Sequence, residues 1–232
     1  MVRSAAKNYK DVTVITSSDQ YHELIDQINK YKGSTSLDFR KKLSRIAFTE
    51  TAYYDSIISD YFNKITNTSF PKKRVMHGNL IETLRYGENP HQKSSLYLND
   101  YNDRELGLKQ LNGKELSYNN YSDIFSGLDI LFSLKKTPST VIIKHSNPCG
   151  VASDKSPIVS FNNAYRSDPI SAFGGVIVCN FKINKQLANT INKNFLEVIV
   201  AKGFKADAVE ILKKKKNLRI LDISKYKPKN NT

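Results

Sequence analysis

Lys144-His145-Ser146-Asn147-Pro148-Cys149-Gly150 follows directly on the apolar run Val141-Ile142-Ile143 and sets a cation beside an imidazole base. That pairing suits proton transfer combined with stabilisation of developing negative charge. Ligands of open α/β sheets bind outside the carboxyl ends of strands, which is where the apolar run puts Lys144 and His145. A self-contained turn, with His145 and Asn147 bonding it and Cys149 buried, stays open as the alternative. Residues 84–92 (LRYGENPHQ) form a second constellation, with an Arg, a Tyr, a Gly-Glu-Asn-Pro turn and a His in nine positions. Arg85 offers a planar fork for a phosphate or carboxylate, and Tyr86 can cover a ring or donate its hydroxyl. The alternative is a well-bonded surface turn capped by His91. Residues 168–175 (DPISAFGG) form a third, where paired glycines permit close backbone approach and Phe173 supplies an apolar wall. Their spacing matches neither G-x-G-x-x-G nor the Walker lysine pattern, so nucleotide-dependent redox or ATP chemistry gains no support.

A zinc reading of the first constellation fails on ligand count. Pro148-Cys149 matches the start of P-C-x-x-C, but Ala152 stands where the second cysteine belongs and no H-x-E precedes it. A catalytic zinc needs three protein ligands, so no metal is expected. Cys149 and Cys179 are the only cysteines, which excludes a disulfide framework and leaves two reduced thiols.

These residues need elements to hold them. Residues 11–16 (DVTVIT) read as a strand, Ser17-Ser18-Asp19 as a helix cap, and the following residues through Ile28 as an amphipathic helix. One strand and one helix cannot form a domain alone. Met1 falls in what reads as a loop feeding that strand, so the segment has the look of a domain's end. Residues 30–36 (KYKGSTS) read as a linker, and residues 37–65 carry apolar side chains at three- and four-residue steps, the pattern of a long helix with one buried face packed across two domains. Beyond residue 76, strands are expected at 141–144, 176–180, 198–201 and 218–223, with helices at 158–166, 185–192 and 205–213. That alternation predicts an α/β sheet covered by helices.

The chain has 232 residues, 39% of them hydrophobic, enough for a real core, and no apolar run approaches the roughly 18 residues that cross a bilayer. A soluble protein working in the cytoplasm is expected, with no membrane partner. Its 36 Lys and Arg against 22 Asp and Glu give a formal charge of +14. Basic clusters at Lys72-Lys73-Arg74 and at 213–216, and the Lys/Asn tail, read as solvated surface. A nucleic-acid-binding protein is the alternative that this charge permits, but no helix-turn-helix, zinc finger or RNA-stacking signature accompanies it. A site for a small phosphorylated ligand is the leading explanation.

Taken together, RYGENPHQ (85–92), GKELSYNN (113–120), KHSNPCG (144–150) and DPISAFGG (168–175) resemble one family, the bifunctional purine biosynthesis enzymes that combine 5-aminoimidazole-4-carboxamide ribonucleotide (AICAR) transformylase with IMP cyclohydrolase. The resemblance covers essentially the whole chain, and MVRSAAKN resembles the last part of the cyclohydrolase domain. It implies residues 1–29 as the carboxyl-terminal remnant of a methylglyoxal-synthase-like cyclohydrolase domain, 30–75 as a linker with a long helix, and 76–232 as the first, incomplete, cytidine-deaminase-like unit of the transformylase. The chain thus resembles an internal fragment, lacking most of the cyclohydrolase domain and the second transformylase unit.

The implied reaction is formyl transfer from the co-substrate 10-formyltetrahydrofolate to AICAR, without a metal, and, in the full-length family, ring closure to IMP. By resemblance His145 is the base, Lys144 stabilises the transition state or assists the folate leaving nitrogen, and Arg85 and Tyr86 bind the nucleotide. Gly174 is implied as a backbone contact and Glu197 as an acidic contact to the same ligand. Lys7, in AAKN, matches a cyclohydrolase lysine, here expected to be a catalytic group without its pocket. Partners implied are AICAR, reduced folate, a second copy of the chain, and a complementary chain supplying the remaining site residues. A noncatalytic piece that needs such a chain is a further alternative.

Overall fold

The computed structural model describes residues 1–99 and 105–228. Residues 229–232, the end of the Lys/Asn tail and of the expected last domain, lie outside the described residues. The chain divides into two compact units, one built mainly of Met1–Asn79 and the other of Leu80–Leu98 with the described residues from 105 onward.

The first unit is helical. Helix α1 (Val2–Lys7) occupies the stretch expected as a loop. A single 3₁₀ turn, Ser18–Gln20, leads into α2 (Tyr21–Lys30), and α3 (Leu37–Ile65) follows with the bounds its periodicity predicts. Ser17 caps the turn as expected, its hydroxyl accepting from Asp19 N while Gln20 Oε1 accepts from Ser17 N at 3.3 Å. The strand expected at 11–16 does not form: residues 12–16 carry no ladder, because no other strand among the described residues pairs with them. Val14 instead packs with Ala6, Phe39, Leu43 and Ala47. Arg40 ties the segment down through Tyr9 O (2.9 Å), Lys10 O (2.7 Å) and Thr35 O. The apolar stripe of α3 is buried only towards its amino end; Tyr54, Tyr61, Phe62 and Ile65 are exposed.

The second unit is a mixed α/β structure. Strands β1 (Asn79–Leu84) and β2 (Ser94–Leu98) form a two-stranded sheet. The main sheet contains β3 (Lys109–Asn112), β4 (Ser139–Ile143), β5 (Pro148–Ser153), β6 (Val176–Cys179), β7 (Val198–Ala201) and β8 (Arg219–Asp222), in the order β3-β8-β7-β6-β4-β5. Strands β6, β7 and β8 are mutually parallel, whereas β4 runs antiparallel to β5 and β6, and β3 antiparallel to β8. Both faces are covered, so the central strands read as continuous apolar runs. Val141, Ile143, Val176, Val178, Val198 and Val200 face helix α4 (Tyr118–Ser133), packing on Ile124, Leu128 and Leu131. The intervening Ile142, Ile177, Ile199 and Ile220 face α5 (Pro157–Ser167), α7 (Lys185–Asn192) and α8 (Ala206–Lys213). The four-residue helix α6 (Pro169–Ala172) links α5 to β6.

Two differences from the sequence reading have local causes. Helix α4 goes unanticipated, since Asn119, Asn120 and Gly127 depress its helical signal. Gly127 is there for packing, because a Cβ on it would lie 2.5 Å from Val178 Cγ2. The turn expected over 144–150 is shorter, because β5 begins at Pro148 and gives the edge of β4 a partner; proline is tolerated as the first residue of a strand. Among the described residues, no helix is long and apolar enough to cross a membrane.

Candidate active site

The strand directions explain why distant segments meet. Ile143 lies opposite Val176, Val176 beside Val198, and Val198 beside Arg219, one row across four strands. Because β4 is reversed, its carboxyl end lies with the amino ends of β6, β7 and β8. The carboxyl end of β3 lies at the same edge, Asn112 pairing with Ile220. Lys144-His145, Gly174, Glu197 and the 113–120 segment therefore converge. Lys144 and His145 lie just past the carboxyl end of β4, where the apolar run puts them, and the three parallel strands turn their amino ends to the same edge.

At this edge a cavity of about 270 Å³ is lined by Arg85, Tyr86, His145, Gly174 and Glu197, with Ser117, Asn120, Asp123 and Arg219 among its other walls. Arg85 and Tyr86 sit in the loop after β1, the guanidinium carbon 5.8 Å from the Tyr86 ring centroid. That loop is closed by Gly87 N donating to Gln92 O (2.8 Å) and by Gln92 Oε1 accepting from Asn89 N (2.8 Å). Gln92 thus does the closing that the sequence reading gives His91, which is exposed. Glu82, on β1, accepts from the Tyr121 hydroxyl of α4 at 2.9 Å, and burial together with this carboxylate pushes the phenol well above its ordinary range.

Lys144 Nζ donates to Phe173 O, and a cis peptide bond joins Lys144 to His145. Gly174 adopts φ +73°, and its N–H donates to Phe195 O at 2.9 Å. The expected apolar wall at Phe173 is a pair of rings, Phe173 and Phe195, with centroids 4.9 Å apart. Asp168 caps α6, accepting from Ser171 N (2.9 Å) and Ser171 Oγ (2.5 Å); these bonds hold its carboxyl below the usual range. Glu197 Oε2 accepts from Asn120 Nδ2 at 3.5 Å and lies 4.0 Å from Arg219 Nη1, while Arg219 Nε donates to Glu115 O at 3.1 Å.

Asn120, Asp123 and Arg219 line the cavity without having been singled out from sequence. Ser117-x-x-Asn120 carried the available signal, a capping box that starts α4 at the site, with Asn120 N donating to Ser117 Oγ (3.2 Å) and Ser117 N to Asn120 Oδ1 (3.2 Å). Lys7 is exposed on α1 in the first unit and is not among the cavity's lining residues. Cys149 Sγ donates to Ile142 O at 3.5 Å, and Cys179 is buried against Thr140. Among the described residues, no three His, Cys, Asp or Glu side chains cluster as metal ligands would.

Residues 5–232 match the family model described as the AICARFT/IMPCHase bienzyme. Among curated relatives, the bifunctional purine biosynthesis protein PurH of Limosilactobacillus reuteri (strain DSM 20016) is 45% identical over 225 residues, 96% of this chain and 44% of that protein. The PurH proteins of Thermoanaerobacter sp. (strain X514) and Bradyrhizobium diazoefficiens are 42% identical over 222 residues and 40% identical over 226, with 95% of this chain and 43% and 42% of theirs covered. The chain thus spans less than half the length of the curated relatives it matches.

Proposed function

The chain belongs to the AICARFT/IMPCHase bienzyme family, and on that premise we propose that its cavity holds AICAR for formyl transfer from 10-formyltetrahydrofolate in purine biosynthesis. The observation that carries this reading is the meeting of Arg85, Tyr86, His145, Gly174 and Glu197, from four separate segments, around one cavity. Arg85 takes the phosphate by a charge-assisted fork, Tyr86 lies against the nucleotide, and Glu197 accepts from a ribose hydroxyl. In the transfer, the 5-amino nitrogen of AICAR forms a bond to the formyl carbon and the bond from that carbon to folate N10 breaks. His145 takes the amine proton, because the attacking nitrogen is weakly nucleophilic with its lone pair drawn towards the carboxamide. Lys144 stabilises the oxyanion that builds up on the formyl oxygen or supplies a proton to the departing N10.

The second unit is, on this reading, a cytidine-deaminase-like transformylase unit working without the deaminase metal. Residues 1–29 are, on the same reading, the end of a methylglyoxal-synthase-like cyclohydrolase domain and 30–75 a linker with a long helix, with Lys7 a catalytic group of ring closure to IMP that lacks its pocket here. The assembly is a homodimer in the cytoplasm, its site residues completed by a further polypeptide segment. Isothermal titration of the chain with AICAR tests the proposal: saturable binding that Arg85→Ala weakens is expected. Salt-sensitive binding of random-sequence DNA, with none of AICAR, would reject it in favour of a nucleic-acid-binding protein.

A further inference from the structure

The His145 side chain is 72% exposed, so packing does not fix its ring. What faces the ring is a buried acid. Asp123, one turn into α4, is 5% exposed, and its Oδ2 lies 3.6 Å from His145 Nδ1. Its other oxygen, Oδ1, accepts the Ser146 N–H at 2.6 Å. Ser122 Oγ and Ser146 Oγ lie 2.9 Å apart beside it, so α4 grips the turn at two adjacent points. A buried carboxylate is costly unless donors face it, and after Ser146 the group facing its second oxygen is His145 Nδ1.

We propose that Asp123 is the positioning residue for His145, keeping the imidazole proton on Nδ1 so that Nε2 is free to act as the base. The inference rests on the proposed function only for His145 being that base. The carboxylate accepts and cannot donate, so an Nδ1 that carries the proton is favoured opposite it and a bare Nδ1 is disfavoured. An exposed ring held in one tautomer has its lone pair where a substrate amine can meet it; a rotating ring offers that geometry only part of the time.

Asp123→Asn is the informative variant. The amide oxygen can still accept the Ser146 N–H, but the amide NH₂ then faces Nδ1 and calls for an acceptor there. The same exchange in a Ser-His-Asp triad preserves geometry and yields the wrong tautomer. The test is nitrogen NMR of the whole chain carrying ¹⁵N-labelled histidine, at alkaline pH, on the native protein and on Asp123→Asn, with AICAR titrated into each. The native His145 is expected to show an excess of the Nδ1–H form, and the variant a ratio moved at least about tenfold towards Nε2–H. A protected Ser146 amide in both would show the turn retained. An excess of Nε2–H in the native protein would overturn the inference whether or not the variant folds, and so would an unchanged ratio in a folded variant. Absence of AICAR binding beside a native Nδ1–H excess would overturn the proposed function and uphold the positioning role of Asp123.

Discussion

A Cβ placed on Gly174 would stand 3.4 Å from Lys144 Nζ and equally close to the Phe195 ring. The ammonium thus lies close against the backbone that precedes β6. Gly174 also has φ +73°, a region that an L side chain enters at a cost of about 1–2 kcal/mol. Gly174→Ala is expected to lower stability by about that amount through its backbone strain, with the added methyl in van der Waals contact with Lys144 Nζ and the Phe195 ring. Chemical denaturation checks this; a Gly174→Ala variant as stable as the native chain would contradict the strained backbone.

Arg85 and His145 line the same cavity but should fail differently. Arg85→Ala removes a contact present in ground and transition states alike, so AICAR affinity should fall about 10- to 100-fold. His145→Ala, made at the matching position of a full-length relative, should cost about 10²- to 10⁴-fold in formyl transfer with a smaller change in nucleotide affinity. Turnover equal to the unmodified enzyme's would remove His145 from the chemistry.

The two thiols should separate cleanly. Burial pushes Cys179 up to about 12 and also raises Cys149, which is only partly buried. Reaction follows thiolate fraction and access. A thiol reagent at about pH 8 is expected to label Cys149 slowly and Cys179 only after unfolding, as read by mass spectrometry. Labelling of Cys179 in the native chain would contradict its place in β6.

Asp168 gives the stability a sign on the acid side. Hydrogen bonds from Ser171 lower its folded-state pKa, so the unfolded chain takes up the proton first as pH falls. The contribution is complete above the unfolded carboxyl's range, near pH 3.9, and is lost as pH drops through the lower folded value. Asp168→Asn is expected to flatten that acid-side loss. Unfolding midpoints of both proteins, at about pH 5 and about pH 3, provide the check; parallel losses would exclude the residue.

Much of the fold was legible because burial wrote it in plain runs. Residues 198–201 are apolar on both sheet faces and fall in β7 as expected, and α7 has its expected bounds. The α3 bounds followed from apolar spacing; Ser36, read only as the end of the linker, caps the helix, its hydroxyl accepting from Phe39 N at 3.3 Å. The edge strand β3, KQLN, carries little apolar signal and was missed. At the site, sequence motifs supplied Arg85, His145 and Gly174, whereas Asp123 looks like any helical acid until α4 is laid against residues 145–146. Arg219 was equally mute, since its role at the edge depends on β8 lying parallel to β7.

The reversal of β4 also decides which helix ends the cavity faces. Helix α7 runs back from the far side of the sheet to Asn192, and the loop that follows it bonds Gly174; α8 likewise returns ahead of Arg219. Their carboxyl termini, with partial negative charge from aligned peptide dipoles, therefore lie on the cavity's side of the molecule. Helix α4 does begin there, with two of its leading amides, those of Ser117 and Asn120, bonded to each other's side chains. The positive ends of α7 and α8, of the kind that commonly cradle phosphate, are thus turned away. The cationic side chains that line the cavity, Arg85 and Arg219, come instead from the loop after β1 and from the start of β8.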